Sequence, residues 1–150
     1  MYKRQITPWP VVVAIMAPIA GRMSDHYPAG ILGGIGLALL ALGLVLLALM
    51  PAAPSVWDIS WRMAICGAGF GFFQSPNLRA IMTSAPASRA GGASGMIGTV
   101  RLLGQASGAA LVAACFHVSS THGAIAALWL GGLCAALACI ASFSRLRFNA

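Results

Sequence analysis

The sequence predicts an all-α, polytopic membrane protein, and three observations carry that prediction. Charged residues make up 7% of the chain and hydrophobic ones 59%, at a mean hydropathy of +0.87, whereas soluble domains carry about 25% charged residues. Apolar stretches recur at lengths that match a bilayer core of about 30 Å at 1.5 Å rise per helical residue. The few charges are confined largely to the short segments between those stretches.

The elements follow in order. Met1-Tyr2-Lys3-Arg4-Gln5 reads like an in-frame translation, from a GTG start, of a transposase mosaic-end adapter used to prepare sequencing libraries. Residues 1–5 are therefore expected to be non-native and are set apart from the fold. The first apolar stretch, residues 6–20, falls just short of the usual spanning length. The expectation is that residues 6–150 form the C-terminal part of a longer gene. Four stretches of full length follow, at residues 29–50, 61–82, 93–116 and 123–143.

Charge placement orients these spans. Arg22 and His26 lie in the first turn, Arg79 and Arg89 flank the third, and Arg145 and Arg147 lie in the tail; residues 51–60 and 117–122 hold no Lys or Arg. By the positive-inside rule the Arg-bearing turns and the C-terminus are cytoplasmic, in a multi-pass plasma-membrane protein. Arg62 is the exception, between Trp57 and Trp61 at an expected outer interface, with Asp58 one helical turn away as its expected partner. The net charge of +7 thus marks loop retention. It does not mark nucleic-acid binding, because no basic patch is interleaved with exposed aromatics.

Catalytic and metal chemistry find no residues to use. Cys66, Cys115, Cys134 and Cys139 all fall within apolar spans, without a C-x-x-C pair or a His at ligand spacing. No phosphate-binding glycine loop, nucleophile elbow or carboxylate pair occurs. Neither a metal, a cofactor nor an enzymatic activity is expected.

Small and polar residues within the spans point instead to a packed bundle around a path. Glycines recur four apart at Gly30/Gly34, Gly67/Gly71, Gly91/Gly95 and Gly104/Gly108, a spacing that lets helix backbones approach closely in lipid. In the third stretch, residues 61–82, Gly67, Gly71, Gln74 and Asn77 share one helical face. Pro76 removes a backbone donor and leaves the Phe72 carbonyl without its usual partner, which favours a bend. Such a face serves either a cavity or an interhelical hydrogen bond. In the next stretch Ser94, Gly98, Arg101, Gln105 and Gly108 form a continuous stripe. An arginine at mid-span costs about 2.5–3.5 kcal/mol on insertion scales and usually faces an interior or a water-filled path. Snorkelling toward the headgroups is the competing reading for Arg101.

Gly21-Arg22-Met23-Ser24-Asp25 after Pro18 resembles the cytoplasmic turn motif of the major facilitator superfamily, in the copy of its C-terminal half. Gly67-Ala68-Gly69-Phe70-Gly71 leading to Pro76-Asn77, and the run from Thr99 to Gly108, resemble the penultimate helices of its fourteen-helix drug:proton antiporter branch. The resemblance implies that the five stretches are the last five helices of a major facilitator bundle. Its partners would be the missing N-terminal helices of the same transporter, the lipid bilayer, protons, and a hydrophobic or cationic small-molecule substrate. It implies a pathway bordered by Gln74, Asn77, Arg101 and Gln105, with Pro76 as a helix kink. Gly21, Arg22 and Asp25 would form a gating turn, Gly21 for tight folding and Asp25 as a latch near a helix N-terminus. The sequence departs from the family pattern after Asp25, where His26-Tyr27-Pro28-Ala29-Gly30 replaces the usual basic residues and glycine. None of the four full-length stretches contains Asp or Glu, so coupling acids are expected in the missing part and transport by this chain alone is not. Two alternatives stand beside the drug antiporter: a major facilitator transporter for a defined metabolite, and a stand-alone small oligomeric membrane protein.

Overall fold

The computed structural model describes residues 8–51, 53–119 and 121–148. The expectations for residues 1–5, and for the side chains of Arg145 and Arg147, lie outside what is described. Among the described residues the chain forms five α-helices: α1 (Pro8–Met23), α2 (Ala29–Ala48), α3 (Val56–Ser84), α4 (Ala90–Val118) and α5 (Gly123–Phe148). A single 3-10 turn, Ala87–Arg89, joins α3 to α4. By length and composition α2, α4 and the Gly123–Ser144 part of α5 suffice to cross a membrane. Helix α1 is apolar but shorter. Helix α3 is long enough, but Asp58, Arg62, Gln74, Asn77 and Arg79 dilute its apolar character.

Helix α2 sits at the centre, against α3 on one side and α5 on the other, while α1 packs on the far side of α3. An apolar helix with nearly uniform hydrophobicity around its circumference needs partners on several sides, and α2 finds them. Glycine sets how close they come. A Cβ on Gly36 would lie 2.5 Å from the Phe73 backbone nitrogen and 2.7 Å from the Gly69 carbonyl oxygen, so α2 and α3 cross backbone to backbone. Further along, Gly43 receives the Cys66 side chain. On the other flank the Cys139 thiol donates to the Gly34 carbonyl at 3.2 Å and the Ser142 hydroxyl to the Gly30 carbonyl at 3.0 Å. Both part-buried ties cross from α5 to α2 and satisfy a side-chain donor within the bundle.

Helix α3 begins at a capping box. The Ser55 hydroxyl accepts from the Asp58 backbone N–H at 3.1 Å while the Ser55 N–H donates to the Asp58 carboxylate at 3.3 Å. Two donors that a helix start leaves orphaned are thereby satisfied. The Ser55 hydroxyl and backbone hold the Asp58 carboxyl below its usual pKa. Asp58 and Arg62, the expected ion pair, do not come within ion-pair distance among the described residues, although the Arg62 charge adds to the lowering of the Asp58 pKa. Arg62 instead lies over the Trp61 ring, 4.9 Å from its centroid, with Nε and Nη1 buried and without a hydrogen-bond partner among the described residues. Cation–π attraction to Trp61 and the nearby Asp58 charge offset part of that cost. Pro76 is fully buried, and α3 runs through it to Ser84 without a break.

Helix α4 is the outlier. None of its residues is buried, and among the described residues it packs mainly on α5, with lighter contact to α3 and to the adjoining 3-10 turn. A Cβ on Gly91, Gly95, Gly98, Gly104 or Gly108 would meet nothing within 4 Å. Its small-residue face is open.

Candidate functional site

Two regions bring the sequence-predicted residues into a geometry. The first lies at the end of α1. Gly21 is helical rather than part of the turn, and none of the described glycines has a positive φ. Its missing Cβ serves a different end, since that atom would sit 3.3 Å from the Ser75 hydroxyl of α3. The turn proper, Ser24–Tyr27, is tied by the Ser24 hydroxyl donating to the Gly21 carbonyl at 2.6 Å and by the Tyr27 N–H donating to the Met23 carbonyl at 3.0 Å.

Asp25 is latched across helices. Its carboxylate forms an ion pair with Arg79 of α3, and the Arg79 guanidinium also donates to the Ser24 hydroxyl at 3.1 Å and the Gly21 carbonyl at 3.4 Å. One side chain thus reads three groups of the turn, a use suited to the forked guanidinium. Both partners are about half exposed, so the pair by itself adds little to stability. Its effect is to fix the turn against α3. Asp25 does not cap α2, whose N-cap is Pro28 without a side-chain hydrogen bond. Arg22 is exposed in the last turn of α1, where a cation favours the helix dipole. Sequence reasoning treats Arg79 only as a loop charge. The two residues are 54 positions apart in number, and no local pattern pairs them.

The second region is a cleft of about 670 Å³ between α3 and α4. From α3 it is lined by Phe70, Phe73, Gln74 and Asn77, and from α4 by Ala93, Met96, Ile97, Val100 and Arg101. Gln74, Asn77 and Arg101 are therefore brought together. Gln105 is not; it lies on the exposed part of α4 outside the cleft. The stripe of Ser94, Gly98, Arg101, Gln105 and Gly108 is also not the face that α4 turns to α3. The lining is shifted by one residue, about 100° of helical rotation, so that α4 presents its apolar edge, with Met96, Ile97 and Val100, to the cleft. Only Arg101 is shared by both faces. Gly67 and Gly71, expected to continue the polar face of α3, pack instead on α1, close to Trp9 and Val13. Gln74 stands at the border, lining both the main cleft and a smaller one of about 230 Å³ beside Val13 and Ala17.

Comparison with known proteins decides the family. The profile of the Major Facilitator Superfamily matches residues 6–109. The chain belongs to the major facilitator superfamily. It is 49% identical over 141 residues to an uncharacterised transporter, YebQ, of Escherichia coli (strain K12), covering 94% of this chain and 31% of that protein. It is 30% identical over 117 residues to the riboflavin transporter RibZ of Clostridioides difficile (strain 630), covering 78% of this chain and 26% of RibZ. It is also 30% identical over 125 residues to the multidrug resistance protein Stp of Mycobacterium tuberculosis, covering 83% of this chain and 21% of Stp. The chain thus spans about a fifth to a third of the length of these relatives. No solved structure matches it. Membership makes this a multi-pass membrane protein of a transporter family, which accords with its all-helical fold.

Proposed function

We propose that the chain is the C-terminal part of a proton-coupled multidrug efflux antiporter of the plasma membrane, inactive without the remaining helices of the same transporter. The observation that carries this reading is the α3–α4 cleft, which gathers two amides and an arginine among apolar and aromatic side chains. Ligand sites have this composition, mostly apolar walls with a few polar groups that fix orientation. Gln74, Asn77 and Arg101 line the translocation path in this reading, and Gln105 borders it on the open face of α4. The Gly21–Asp25 segment is the cytoplasmic gate, with Asp25 held by Arg79 when the gate is closed and the C-terminus on the same side of the membrane.

Alternating access in transporters of this kind rocks two bundles about a site near the bilayer midplane. The open face of α4 supports a missing bundle as its partner, because small residues at close spacing are what helix association in lipid uses. Proton coupling requires an acid whose pKa responds to opening and closing. This chain has only two acids, Asp25 and Asp58; one is latched to Arg79 and the other caps α3. The coupling acid is therefore assigned to the missing helices. A transporter for a defined solute is the second reading, favoured by the likeness to RibZ, whose identity to this chain equals that of Stp.

The reading frame upstream of the Ile6 codon gives the first test. An open frame through about nine further apolar spans, with at least one acid inside a span, is expected; a ribosome-binding site directly before Met1 overturns the proposal. In the complete gene, Asp25→Asn is expected to slow turnover with substrate affinity kept. Unchanged turnover removes the gate.

A further inference from the structure

The α3–α4 cleft carries a charge that nothing else in this chain balances. Arg101 lines it, and neither of the chain's two carboxylates does. Asp25 is engaged by Arg79 at the end of α1, and Asp58 is engaged by Ser55 at the start of α3. The other polar lining from the helices is Gln74, Asn77 and, at the end of α3, Ser84, all of which donate and accept but carry no charge. Phe70 and Phe73 supply flat apolar walls, against which an aromatic ring packs offset or edge-on.

From these groups we infer that the cleft selects a flat aromatic molecule bearing an anionic or strongly accepting group, held by Arg101, over a cation of the same size. This rests on the transporter reading and specifies its substrate class; it replaces the cationic half of the class that the family resemblance implies. The physical argument is one of sign. Arg101 is exposed on α4 in this chain, so the sign of its charge acts through direct contact with the guanidinium rather than through a low-dielectric interior. A cation entering here meets the guanidinium without an intervening carboxylate of this chain. A carboxylate, phenolate or ring carbonyl meets a planar donor fork that fits such oxygens, and a charged hydrogen bond is roughly twice as strong as a neutral one. The aromatic body then lies against Phe70 and Phe73 on the α3 wall, with Met96 and Val100 lining the α4 side, and Gln74 and Asn77 take its remaining polar edges.

Fluorescein and rhodamine 123 test the inference, because they share a three-ring core and differ in the sign of their charge. Binding is read by fluorescence polarisation on the purified complete transporter, in mildly alkaline buffer where fluorescein is an anion. Fluorescein is expected to bind at least about tenfold more tightly than rhodamine 123, the scale of one charged hydrogen bond. Arg101→Gln is expected to erase that preference by weakening fluorescein alone, and Arg101→Lys to retain most of it. Each variant's thermal unfolding is recorded alongside, so that a variant that fails to fold is recognised and Arg101→Lys carries the comparison. Equal or tighter binding of rhodamine 123, or fluorescein binding that survives Arg101→Gln unchanged, overturns the inference. Export distinguishes the two levels of failure. Cells that export rhodamine 123 while the protein shows no anion preference refute the charge argument and leave the transporter reading standing; a complete transporter that neither binds nor exports either dye overturns both.

Discussion

Replacing Gly36 by alanine is the most direct probe of how this bundle is held together. The new Cβ would sit 2.5 Å from the Phe73 nitrogen, 2.7 Å from the Gly69 oxygen and 3.0 Å from the Phe72 carbonyl carbon. All three are backbone atoms of α3, which cannot swing aside as a side chain does. Ordinary contact begins at 3.4 Å, so α2 and α3 must part locally by roughly 0.7–0.9 Å, a gap that forfeits a quarter to a half of each dispersion contact along the crossing. Overpacking of this kind costs about 1–3 kcal/mol. Two companions calibrate it. At Gly34 the added Cβ meets Phe143 ring atoms at 2.6 Å and 2.7 Å, but the ring belongs to a movable side chain, so Gly34→Ala is expected to cost less. At Gly98 nothing lies within 4 Å, and Gly98→Ala is expected to be neutral or slightly favourable in this chain, since alanine is the better helix former. The assay is the thermal aggregation midpoint of each detergent-solubilised variant, followed by fluorescence-detected size exclusion. The expected order of loss is Gly36→Ala, then Gly34→Ala, then Gly98→Ala. A Gly36→Ala midpoint equal to wild type, or an equal loss from Gly98→Ala, would refute the account of a backbone-to-backbone crossing between α2 and α3.

Other predictions concern the ends of the helices. Arg79→Gln removes the group that holds Asp25, Ser24 and Gly21 together; with the pair half exposed its stability cost is expected below about 1 kcal/mol, while proteolysis within Ser24–Tyr27 is expected to rise. A turn no more accessible than in wild type would show that Arg79 does not fix it. Ser55→Ala is expected to cost about 1 kcal/mol through loss of the cap, and a thermal shift indistinguishable from zero would show the capping box to be dispensable. The Asp58 carboxyl is held below its usual pKa by Ser55, so its contribution is complete above the pH at which the unfolded carboxyl titrates. That contribution is lost as pH falls through the folded value. The acid sensitivity of unfolding should therefore shrink in Ser55→Ala, and an unaltered pH profile would contradict the link.

Much of this arrangement is legible in the sequence, and the illegible parts have physical reasons. Apolar length and charge placement suffice to find the helical stretches, because a bilayer leaves helices and closed barrels as the spanning solutions. Gln74, Asn77 and Arg101, singled out as mid-span polar residues, line one cleft, with Arg101 exposed on α4. Gln105 shows where periodicity stops being enough: a stripe gives the angle between residues on one helix, and how α4 is rotated against its neighbours is set by tertiary packing, mainly on α5. Gly21 shows the same for glycine, which reads as a turn former but works as a contact point for Ser75. Ser55, three residues before Asp58, is a local cue for the capping box; reading Asp58 against Arg62 overlooks it. Arg79 carries no local cue, since its pairing with Asp25 is made by tertiary packing of α1 on α3.

Efflux by the complete gene, with and without Arg101→Ala, tests the central claim that the α3–α4 cleft belongs to a proton-driven export path. Dye export is measured in cells at matched membrane abundance, before and after a protonophore collapses the gradient. The account predicts protonophore-sensitive export by the wild type and loss of most of that export in Arg101→Ala at near wild-type abundance. Export that survives Arg101→Ala would remove Arg101 from the path, and export that falls only in step with abundance would make it a folding residue; either result contradicts the claim.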